Sequence, residues 1–316
     1  MSKEQIFNAD EGDIWQVPKG RVTLVGAGPG APDLMTIRGE RALAQADVVV
    51  YDDLANAALL EICRPEVRRI YVGKRAGQHS MAQAQISRIL VEEAARGQQV
   101  VRLKGGDPLV FGRGGEEIAA LAAAGIAHEI VPGVTAAVAA GASIGVPLTH
   151  RDHASAVVFA TGHECCGKRP GQARVNWAAL ASSGATLCIY MGVRRLAEIV
   201  TALLDGGLAG STPVAIVSNA TLPSQEQHTT TLEQAPFFAA TLKGKPSLII
   251  VGEVAAWAAA QRQGEDAAVG AAEQVAAVVS MAGAEGAEAA AGTSFSSPEL
   301  LSLAGRRASL LEAVAS

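Results

Sequence analysis

Apolar runs and polar, glycine-rich turns alternate along the first half of the chain. Five of these runs predict buried strands, at residues 21–30, 46–53, 68–75, 98–106 and 127–136. Segments with helical periodicity separate them, at about residues 36–46 and 82–97, and the second segment has Ile86, Ile89 and Leu90 on one face. Strands that are apolar throughout and alternate with helices predict a parallel sheet that is covered on both faces.

The same alternation resumes after about residue 150. Four more strands are predicted, at residues 154–163, 185–193, 212–221 and 247–254, with a helix at about 194–206. We therefore predict an α/β fold built from two α/β domains. The predicted organisation is a lead-in at residues 1–20, an N-terminal domain at 21–149, a C-terminal domain at 150–257, and an Ala/Gly-rich low-complexity tail at 258–316.

Composition narrows the classes of function. The 316 residues are 49% hydrophobic, which is enough for a sizeable core. A net charge of -5 and an aromatic content of 4% argue against binding to nucleic acid. No apolar run has the length of a membrane span, and residues 1–15 lack the apolar core of a secretory signal. We expect a soluble cytoplasmic protein with no membrane or nucleic-acid partner.

The cysteines do not indicate a metal site. The chain has four, and none are spaced as C-x-x-C pairs. Cys165 and Cys166 are adjacent in a polar insert at residues 164–176, an arrangement that makes a poor zinc site. We expect ordinary reduced thiols and no metal.

The densest glycine cluster follows the fourth predicted strand. Residues 105–115 contain five glycines, and Asp107 lies between Gly106 and Pro108. Glycine is unfavourable inside regular structure, so this density predicts a sharp turn or a close approach of the backbone to a ligand. Ligands of open α/β sheets bind at the carboxyl ends of the strands. A valine in place of Gly106 is expected to clash in this loop.

The turn after the first strand superficially matches a dinucleotide fingerprint. GAGPGAPD at residues 26–33 satisfies G-x-G-x-x-G/A, and Asp52 lies at about the distance of a ribose-binding acid. Pro29 and Pro32 have no N–H, however, and that fingerprint works by aiming backbone amides at a pyrophosphate. A dehydrogenase that uses this turn stays open as an alternative.

Charged residues mark the ends of other predicted strands. The aspartate pair at residues 52–53 could supply a general base, although helix capping is the commoner role of such residues. Lys74 and Arg75 lie at the end of the third predicted strand, where cations suit an acidic ligand. His150 and Arg151 lie near the predicted domain boundary and are candidate anion contacts.

An ordered set of motifs resembles the uroporphyrinogen-III C-methyltransferases of the tetrapyrrole methylase family. The set spans residues 21–257 and consists of GAGPGAPDLMT, VVVYDDL, YVGKRAGQH, VVRLKGGDPLVFGRGGEE, VPGVTAA, PLTHRD, ATGH, YMGV and PVAIVSNAT. The resemblance implies two α/β domains with the active site in the cleft between them. It also implies a homodimer that methylates uroporphyrinogen III at C-2 and C-7 with S-adenosylmethionine. The product, precorrin-2, leads to sirohaem and cobalamin.

The same resemblance implies roles for individual residues. Asp52 matches the proton acceptor and Lys74 the proton donor. The implied cofactor contacts are Pro29, Gly105, Gly106, Asp107, Val110, Thr135, Ala136, Met191 and Ala220. Ala220 stands where the family commonly has glycine, which makes that contact less secure. Because the substrate carries eight carboxylates, cations near the cleft are candidate substrate contacts, namely Arg75, Lys104, Arg113, His150 and Arg151.

Two further expectations follow from the resemblance. Only about 20 residues precede the first strand, so a stand-alone methylase without an upstream dehydrogenase/chelatase module is expected. A methylase that acts at another ring carbon of a precorrin, and a protein that binds tetrapyrroles without turnover, stay open as alternatives.

Overall fold

The first sheet is built from five parallel strands. The structure is a computed structural model, and it describes residues 20–73, 81–163 and 174–257. The strands are β1 (Arg21–Gly26), β2 (Val48–Tyr51), β3 (Arg68–Tyr71), β4 (Gln99–Lys104) and β5 (Ala127–Val131). Their spatial order is β3-β2-β4-β1-β5. The predicted parallel sheet is therefore confirmed.

Helices cover both faces of this sheet. They are α1 (Ile37–Ala44), α2 (Gln83–Ala95) and α3 (Gly114–Ala123). Leu43 of α1 packs with Val49 and Val101 on one face, together with a short 3₁₀ helix at Ala57–Ile62. Leu90 of α2 and Leu121 of α3 pack on the other face. Because both faces are covered, the strands β1 and β2 are largely apolar on both sides, as the sequence pattern predicts.

The second sheet also has five strands, but it is mixed. They are β6 (Val157–Thr161), β7 (Thr186–Tyr190), β8 (Pro213–Ser218), β9 (Glu226–Thr231) and β10 (Ser247–Val251), in the order β6-β7-β10-β8-β9. Only the β6–β7 pair is parallel, since β10 pairs antiparallel with both β7 and β8, and β9 pairs antiparallel with β8. The sequence analysis did not anticipate β9.

Three helices accompany the second sheet. They are α4 (Ala136–Ser143), α5 (Trp177–Ala181) and α6 (Leu196–Asp205). Residues of α6 form a core with one face of the sheet, and Ala137 and Ala140 of α4 form a core with the other. The helix that follows β5 therefore packs on the second sheet. The predicted division into domains near residue 150 stays a prediction.

Several sequence-based expectations fall outside the described residues. They concern the lead-in, Lys74, Arg75, the cysteine pair Cys165–Cys166 and the tail at residues 258–316. The other two cysteines, Cys63 and Cys188, are buried and form no disulfide. Burial raises the pKa of Cys188 to about 12, so its thiol stays protonated near neutral pH. No helix in the described ranges is long and apolar enough to cross a membrane.

Candidate functional site

The topology of the first sheet creates a crevice between β1 and β4. These strands are neighbours, yet the chain leaves β1 through α1 on one face and leaves β4 through α3 on the other. Such a switch point opens a crevice at the carboxyl ends of the strands, where open α/β sheets bind their ligands. The GAGPG turn follows β1 and the Gly105–Gly106 loop follows β4. Both glycine-rich loops therefore lie at the switch point.

Backbone hydrogen bonds join these two loops directly. Gly106 N donates to Gly28 O over 2.7 Å, and Gly28 N donates to Gly106 O over 3.3 Å. One residue earlier, Ala27 N donates to Lys104 O over 2.7 Å. The pair of loops thus extends the β1–β4 pairing beyond the sheet and forms one continuous wall.

Space at this wall permits only glycine at several positions. A Cβ atom on Gly133, in the loop after β5, would lie 2.3 Å from Gly106 O. A Cβ atom on Gly105 would lie 2.6 Å from both Cβ and O of Leu54. Gly106 has more room, with no atom nearer than 3.8 Å to its built Cβ, but its φ of +66° favours glycine. The steric clash that the sequence analysis expected at Gly106 is therefore found at Gly105. At Gly106 glycine is favoured because of the positive φ angle.

Asp107 ties the β4 loop to the β5 loop. Its Oδ1 accepts a hydrogen bond from Leu109 N over 2.8 Å, and its Oδ2 accepts one from Gly133 N over 3.1 Å. Both carboxylate oxygens thus bind backbone amides of the protein. The side chain of Asp107 shapes the wall, and the contact with a cofactor that the sequence suggests stays a prediction.

The second sheet reaches the same place through Tyr190 at the end of β7. Its hydroxyl lies 2.7 Å from Thr135 Oγ1 and accepts a hydrogen bond from Ala137 N over 2.9 Å. The ring packs against Phe111, with the centroids 4.9 Å apart. Burial raises the pKa of Tyr190, so the phenol remains protonated at neutral pH. Tyr190 therefore fixes the start of α4 and brings the adjacent Met191 to the crevice.

The loop after β8 meets the GAGPG turn. Ala31 N donates to Thr221 Oγ1 over 3.0 Å. A Cβ atom on Gly30 would lie 2.9 Å from Leu222 Cγ and 3.1 Å from Ala220 O. These contacts place Pro29 and Ala220 on adjoining loops. The structure thus brings loops from both sheets that carry predicted cofactor contacts close together, and their contact with a cofactor stays a prediction.

Strained backbone concentrates at this crevice. Non-glycine residues rarely adopt positive φ, and such residues cluster at functional sites. Within the described ranges, the non-glycine residues with positive φ are Phe111, Arg113, Met191, Asn219 and Thr221. All five lie in the loops after β4, β7 and β8 that surround the crevice. This distribution indicates that the loops are shaped for a ligand.

Asp52 lies just after β2, where Arg102 of β4 holds it. Arg102 Nη2 donates to Asp52 Oδ2 over 2.7 Å, and Leu54 N donates to Asp52 Oδ1 over 3.1 Å. The Asp52 side chain is 25% exposed, whereas that of Arg102 is 3% exposed. Asp52 is thus a fixed carboxylate that retains access to solvent. Arg102 was not predicted from sequence, because it occurs within a segment whose apolar residues predict a buried strand.

Lys104 is buried beneath the crevice. Its Nζ lies 3.2 Å from Oε1 of Glu117, a glutamate of α3 that is completely buried. Burial, and next to it the neighbouring Arg102 cation, lower the pKa of Lys104, although Glu117 opposes the shift. Lys104 therefore does not face solvent as a contact for an acidic substrate would. This placement corrects the expectation that was based on sequence position alone.

Arg113 is exposed and held by its own helix. Its Nε and Nη2 lie 2.7 Å from Glu116 Oε1 and Oε2, respectively. The hydrogen bond from Arg113 is the main cause that lowers the pKa of Glu116. Arg113 therefore already has a carboxylate partner, and a contact with substrate would have to compete with that ion pair.

His150 and Arg151 lie at the other end of the second sheet. The His150 ring packs against Trp257, with centroids 5.0 Å apart, and its Nδ1 accepts a hydrogen bond from Asp152 N. Arg151 lines a surface depression of ≈ 340 Å³ with Ser183 and Gly184, which precede β7. Tyr190 ends the same strand. Arg151 is therefore not brought to the crevice, because the length of β7 separates the two.

No group of three or more His, Cys, Asp or Glu side chains in the described part of the chain is arranged to hold a metal ion. The ionic groups at the crevice instead pair with one another or with backbone amides. The arrangement offers a walled crevice, one oriented carboxylate and a buried charge cluster behind it.

Comparison with known proteins agrees with this architecture. Residues 21–236 match the family described as Tetrapyrrole (Corrin/Porphyrin) Methylases. Siroheme synthase from Baumannia cicadellinicola subsp. Homalodisca coagulata is 51% identical over 241 residues, which cover 76% of this chain and 51% of that protein. The chain thus spans about half the length of the curated relatives that it matches.

Solved structures extend the likeness to three dimensions. Uroporphyrin-III C-methyl transferase from Thermus thermophilus, complexed with S-adenyl homocysteine, is 38% identical with a TM-score of 0.62. The match covers 74% of this chain and 93% of that one. A cobalt precorrin-4 methyltransferase is 28% identical with a TM-score of 0.65, and the match covers 75% and 95% of the two chains. These matches confirm the predicted fold class, and the chain belongs to the family of tetrapyrrole (corrin/porphyrin) methylases.

Proposed function

We propose that the chain transfers methyl groups from S-adenosylmethionine to C-2 and C-7 of uroporphyrinogen III, which yields precorrin-2 for sirohaem or cobalamin synthesis. The observation that carries this proposal is the convergence of strained, glycine-walled loops from both sheets beside the oriented carboxylate of Asp52. The similarity to a uroporphyrin-III methyl transferase solved with S-adenyl homocysteine supports it.

The character of the crevice supports S-adenosylmethionine as the methyl donor. At Gly106 no atom lies nearer than 3.8 Å to the position that a Cβ atom would occupy, so a ligand can approach the backbone closely there. The sulfonium group is positively charged. Backbone carbonyls and neutral side chains therefore suit it better than the cationic side chains that bind a phosphate. When bound, S-adenosylmethionine supplies a methyl group that is already activated for transfer. The loops of the protein then need mainly to align that methyl group with the attacking carbon.

Asp52 is proposed to accept the proton that methylation releases. The pyrrole carbon donates an electron pair to the methyl carbon, the S–C bond breaks, and its electrons remain on sulfur. The macrocycle regains its neutral state when it loses a proton to a base. Asp52 is oriented by Arg102 and by Leu54 N, and it stays partly exposed, as an acceptor for a bound substrate must be. Lys74 is proposed as the proton donor from the resemblance.

Apolar side chains around the crevice suit the faces of a tetrapyrrole. Leu54, Leu109, Phe111 and Met191 are all large and exposed, by 62%, 58%, 39% and 50%. Leu54 contacts Gly105, Phe111 contacts Tyr190, and Met191 follows Tyr190 in the chain. Exposed apolar groups gathered at a crevice mark a ligand surface rather than a chance distribution. We propose that they contact the ring system while cations bind its carboxylates.

A second candidate function is the methylation of a different precorrin. The TM-score of 0.65 with the cobalt precorrin-4 methyltransferase is slightly higher than that with the uroporphyrin-III enzyme, although the sequence identity is lower. The fold alone therefore does not choose between substrates. The position of the new methyl group on the macrocycle separates the two functions.

We further propose that the chain acts as a homodimer in the cytoplasm, which the resemblance implies. Sedimentation equilibrium of the purified chain should give the mass of two copies. A monomer at concentrations well above those of the assay would contradict the dimer.

The test is an anaerobic incubation of the purified chain with S-adenosylmethionine and uroporphyrinogen III. We expect the absorbance of precorrin-2 or of its oxidised form to appear, and the product mass to show two added methyl groups. Labelled methyl carbons should locate these groups at C-2 and C-7 by NMR. No product from uroporphyrinogen III, together with methylation of another precorrin in a parallel incubation, would favour the second candidate, and no product from either tetrapyrrole would reject both. Omission of the methyl donor is the control.

A further inference from the structure

A buried charge cluster lies behind Asp52, and its centre is Glu117. The Glu117 side chain is 0% exposed. Its Oε1 accepts hydrogen bonds from Arg102 Nε over 3.3 Å, Lys104 Nζ over 3.2 Å and Gln83 Nε2 over 2.9 Å. One carboxylate oxygen thus joins α2, α3 and β4. The proposed mechanism assigns it no part.

The cluster exists because β4 carries two cations on a core-facing side. Arg102 and Lys104 are two residues apart, so both side chains project from the same face of the strand. That face packs against α2 and α3 in the core that includes Val100 and Leu121. Buried cations are unfavourable unless they are paired. Glu117 of α3 supplies the opposite charge within hydrogen-bond distance of both.

Arg102 is held by acceptors around its guanidinium group. Nε donates to Glu117, and Nη1 donates to Leu103 O over 2.9 Å and to Val50 O over 3.4 Å. Only Nη2 extends toward the crevice, where it meets Asp52. Because the guanidinium is planar and rigid, fixing Nε and Nη1 also fixes the direction of Nη2. The orientation of Asp52 therefore depends on contacts made on the far side of Arg102.

The charges balance only when Glu117 is present. Arg102 and Lys104 are positive, Asp52 and Glu117 are negative, and Gln83 is neutral. Glu116, the next charged side chain on α3, is exposed and pairs with Arg113. Without Glu117, Arg102 and Lys104 would share Asp52 as their carboxylate partner. Repulsion between the two cations would then act on the residue that orients Asp52.

We propose that Glu117 is a positioning residue that acts through Arg102 to fix the carboxylate of Asp52. The consequence for methyl transfer rests on the proposed function. The position of Arg102 itself does not, so the two can be tested separately.

The first test observes Arg102 directly in the full-length protein. In ¹H–¹⁵N spectra, the Nε–H signal of Arg102 is assigned by its loss in Arg102→Lys. We expect this proton to exchange slowly in the wild type and in Asp52→Asn, but at least about tenfold faster in Glu117→Gln, because the bond to a buried carboxylate is weakened. The glutamine preserves the shape of the side chain. An unchanged signal in Glu117→Gln would overturn the proposal.

The second test measures turnover. We expect Glu117→Gln to lower kcat about tenfold while the KM values for both substrates change by less than about twofold. If Glu117 acts through Arg102, adding Glu117→Gln to Arg102→Lys should cause little further loss. Losses that multiply in the double variant, or a wild-type kcat in Glu117→Gln, would contradict the proposal. If the wild type methylates no tetrapyrrole, the proposed function fails, while the exchange measurement still decides whether Glu117 holds Arg102 in place.

Glu93→Gln is the matched control. Glu93 is also a buried glutamate that binds two arginines, Arg68 and Arg96, but it lies at the end of α2 near the start of β3. Its substitution should destabilise the fold comparably and leave kcat unchanged. A matching loss of kcat in Glu93→Gln would show that the Glu117 effect is merely structural, and would overturn the proposal.

Discussion

The two sheets bury different kinds of polar residues. On the first sheet and its helices, the buried charged residues are Glu93, Arg102, Lys104 and Glu117. Among the described residues of the second sheet, the buried polar residues carry only hydroxyl groups, and they are Thr186, Thr212 and Ser218. Buried charge is unfavourable and is retained where it is paired or functional. Within the part of the chain that the structure describes, buried charge is therefore confined to the first sheet and its helices.

The second sheet contributes shape instead. It supplies the Tyr190 hydroxyl that fixes Thr135 and Ala137, and the positive-φ residues Met191 and Thr221 at the crevice. None of these groups is ionised at neutral pH. We infer that substitutions of the charged residues on the first sheet lower turnover most, whereas those on the second sheet act mainly on binding.

The largest expected effect is that of Asp52→Asn, which leaves a side chain of the same shape in place but removes the proposed proton acceptor. We expect kcat to fall by about 10²–10³-fold, within the range of general-base catalysis. The affinity for S-adenosylhomocysteine, measured by calorimetry, should change by less than about twofold because Asp52 acts on the substrate. Asp205→Asn, at the exposed end of α6, is the control. If Asp52→Asn greatly lowered the affinity for S-adenosylhomocysteine and left kcat intact, the proposed difference between the two sheets would be wrong.

The next largest effect is a difference in binding affinity between substitutions of Gly105 and Gly106. Gly105→Ala places a methyl group against the Leu54 backbone, so we expect affinity for S-adenosylhomocysteine to fall at least about tenfold. Gly106→Ala has room but must adopt φ of +66°, which costs about 1 kcal/mol and should weaken binding less. Calorimetry measures both. Gly115→Ala, where no atom lies within 4 Å of the added carbon, is the control. A reversed order would contradict the geometry.

Tyr190→Phe should act on binding rather than on turnover. It removes the hydroxyl that joins Thr135 and Ala137 but keeps the ring against Phe111. We expect about a fivefold loss of affinity for S-adenosylhomocysteine and a loss of about 1 kcal/mol in the free energy of unfolding. The kcat at saturating substrate should fall less than about threefold. A loss of kcat as large as that of Asp52→Asn would erase the distinction between the sheets.

The smallest effect is a difference in alkaline stability. Burial raises the pKa of Tyr190, so above its ordinary pKa the unfolded chain releases the proton while the folded protein keeps it. The stability tied to this proton is full below about pH 10 and is lost as the pH rises through the folded pKa. Urea unfolding at about pH 9 and pH 11 should show a steeper decline for wild type than for Tyr190→Phe. Equal slopes would contradict the shift. Cys188 is present in both proteins, so its contribution to the pH dependence of stability cancels in the comparison.

Much of the fold could be predicted because most of its strands contain a run of apolar residues. β1, β2 and β4 are buried on both faces, so their sequences show the signal without ambiguity. β9 is the contrary case. Its sequence EQHTTT has no apolar residue, and it pairs at the sheet edge with β8 alone. Its place depends on backbone hydrogen bonds to a distant strand, which no local pattern reveals.

The candidate site likewise contains residues that the sequence predicts and residues that only the structure shows. Glycine density located the β4 loop, and the family resemblance suggested Thr135, Met191 and Ala220. Arg102 and Glu117 escaped notice because each occurs in a segment whose local pattern is accounted for by a strand or a helix. Arg102 meets Asp52 across 50 residues of sequence and Glu117 across 15. Contacts of this kind follow from strand order and helix placement, so only the structure shows them.

The most direct test of the central claim is a crystal structure of the chain with S-adenosylhomocysteine. The account predicts the ligand in the crevice between β1 and β4, against Gly105, Thr135 and Met191, with the Asp52 carboxylate facing the open side. Ligand bound elsewhere, or bound there through an ion pair with Asp52, would contradict it.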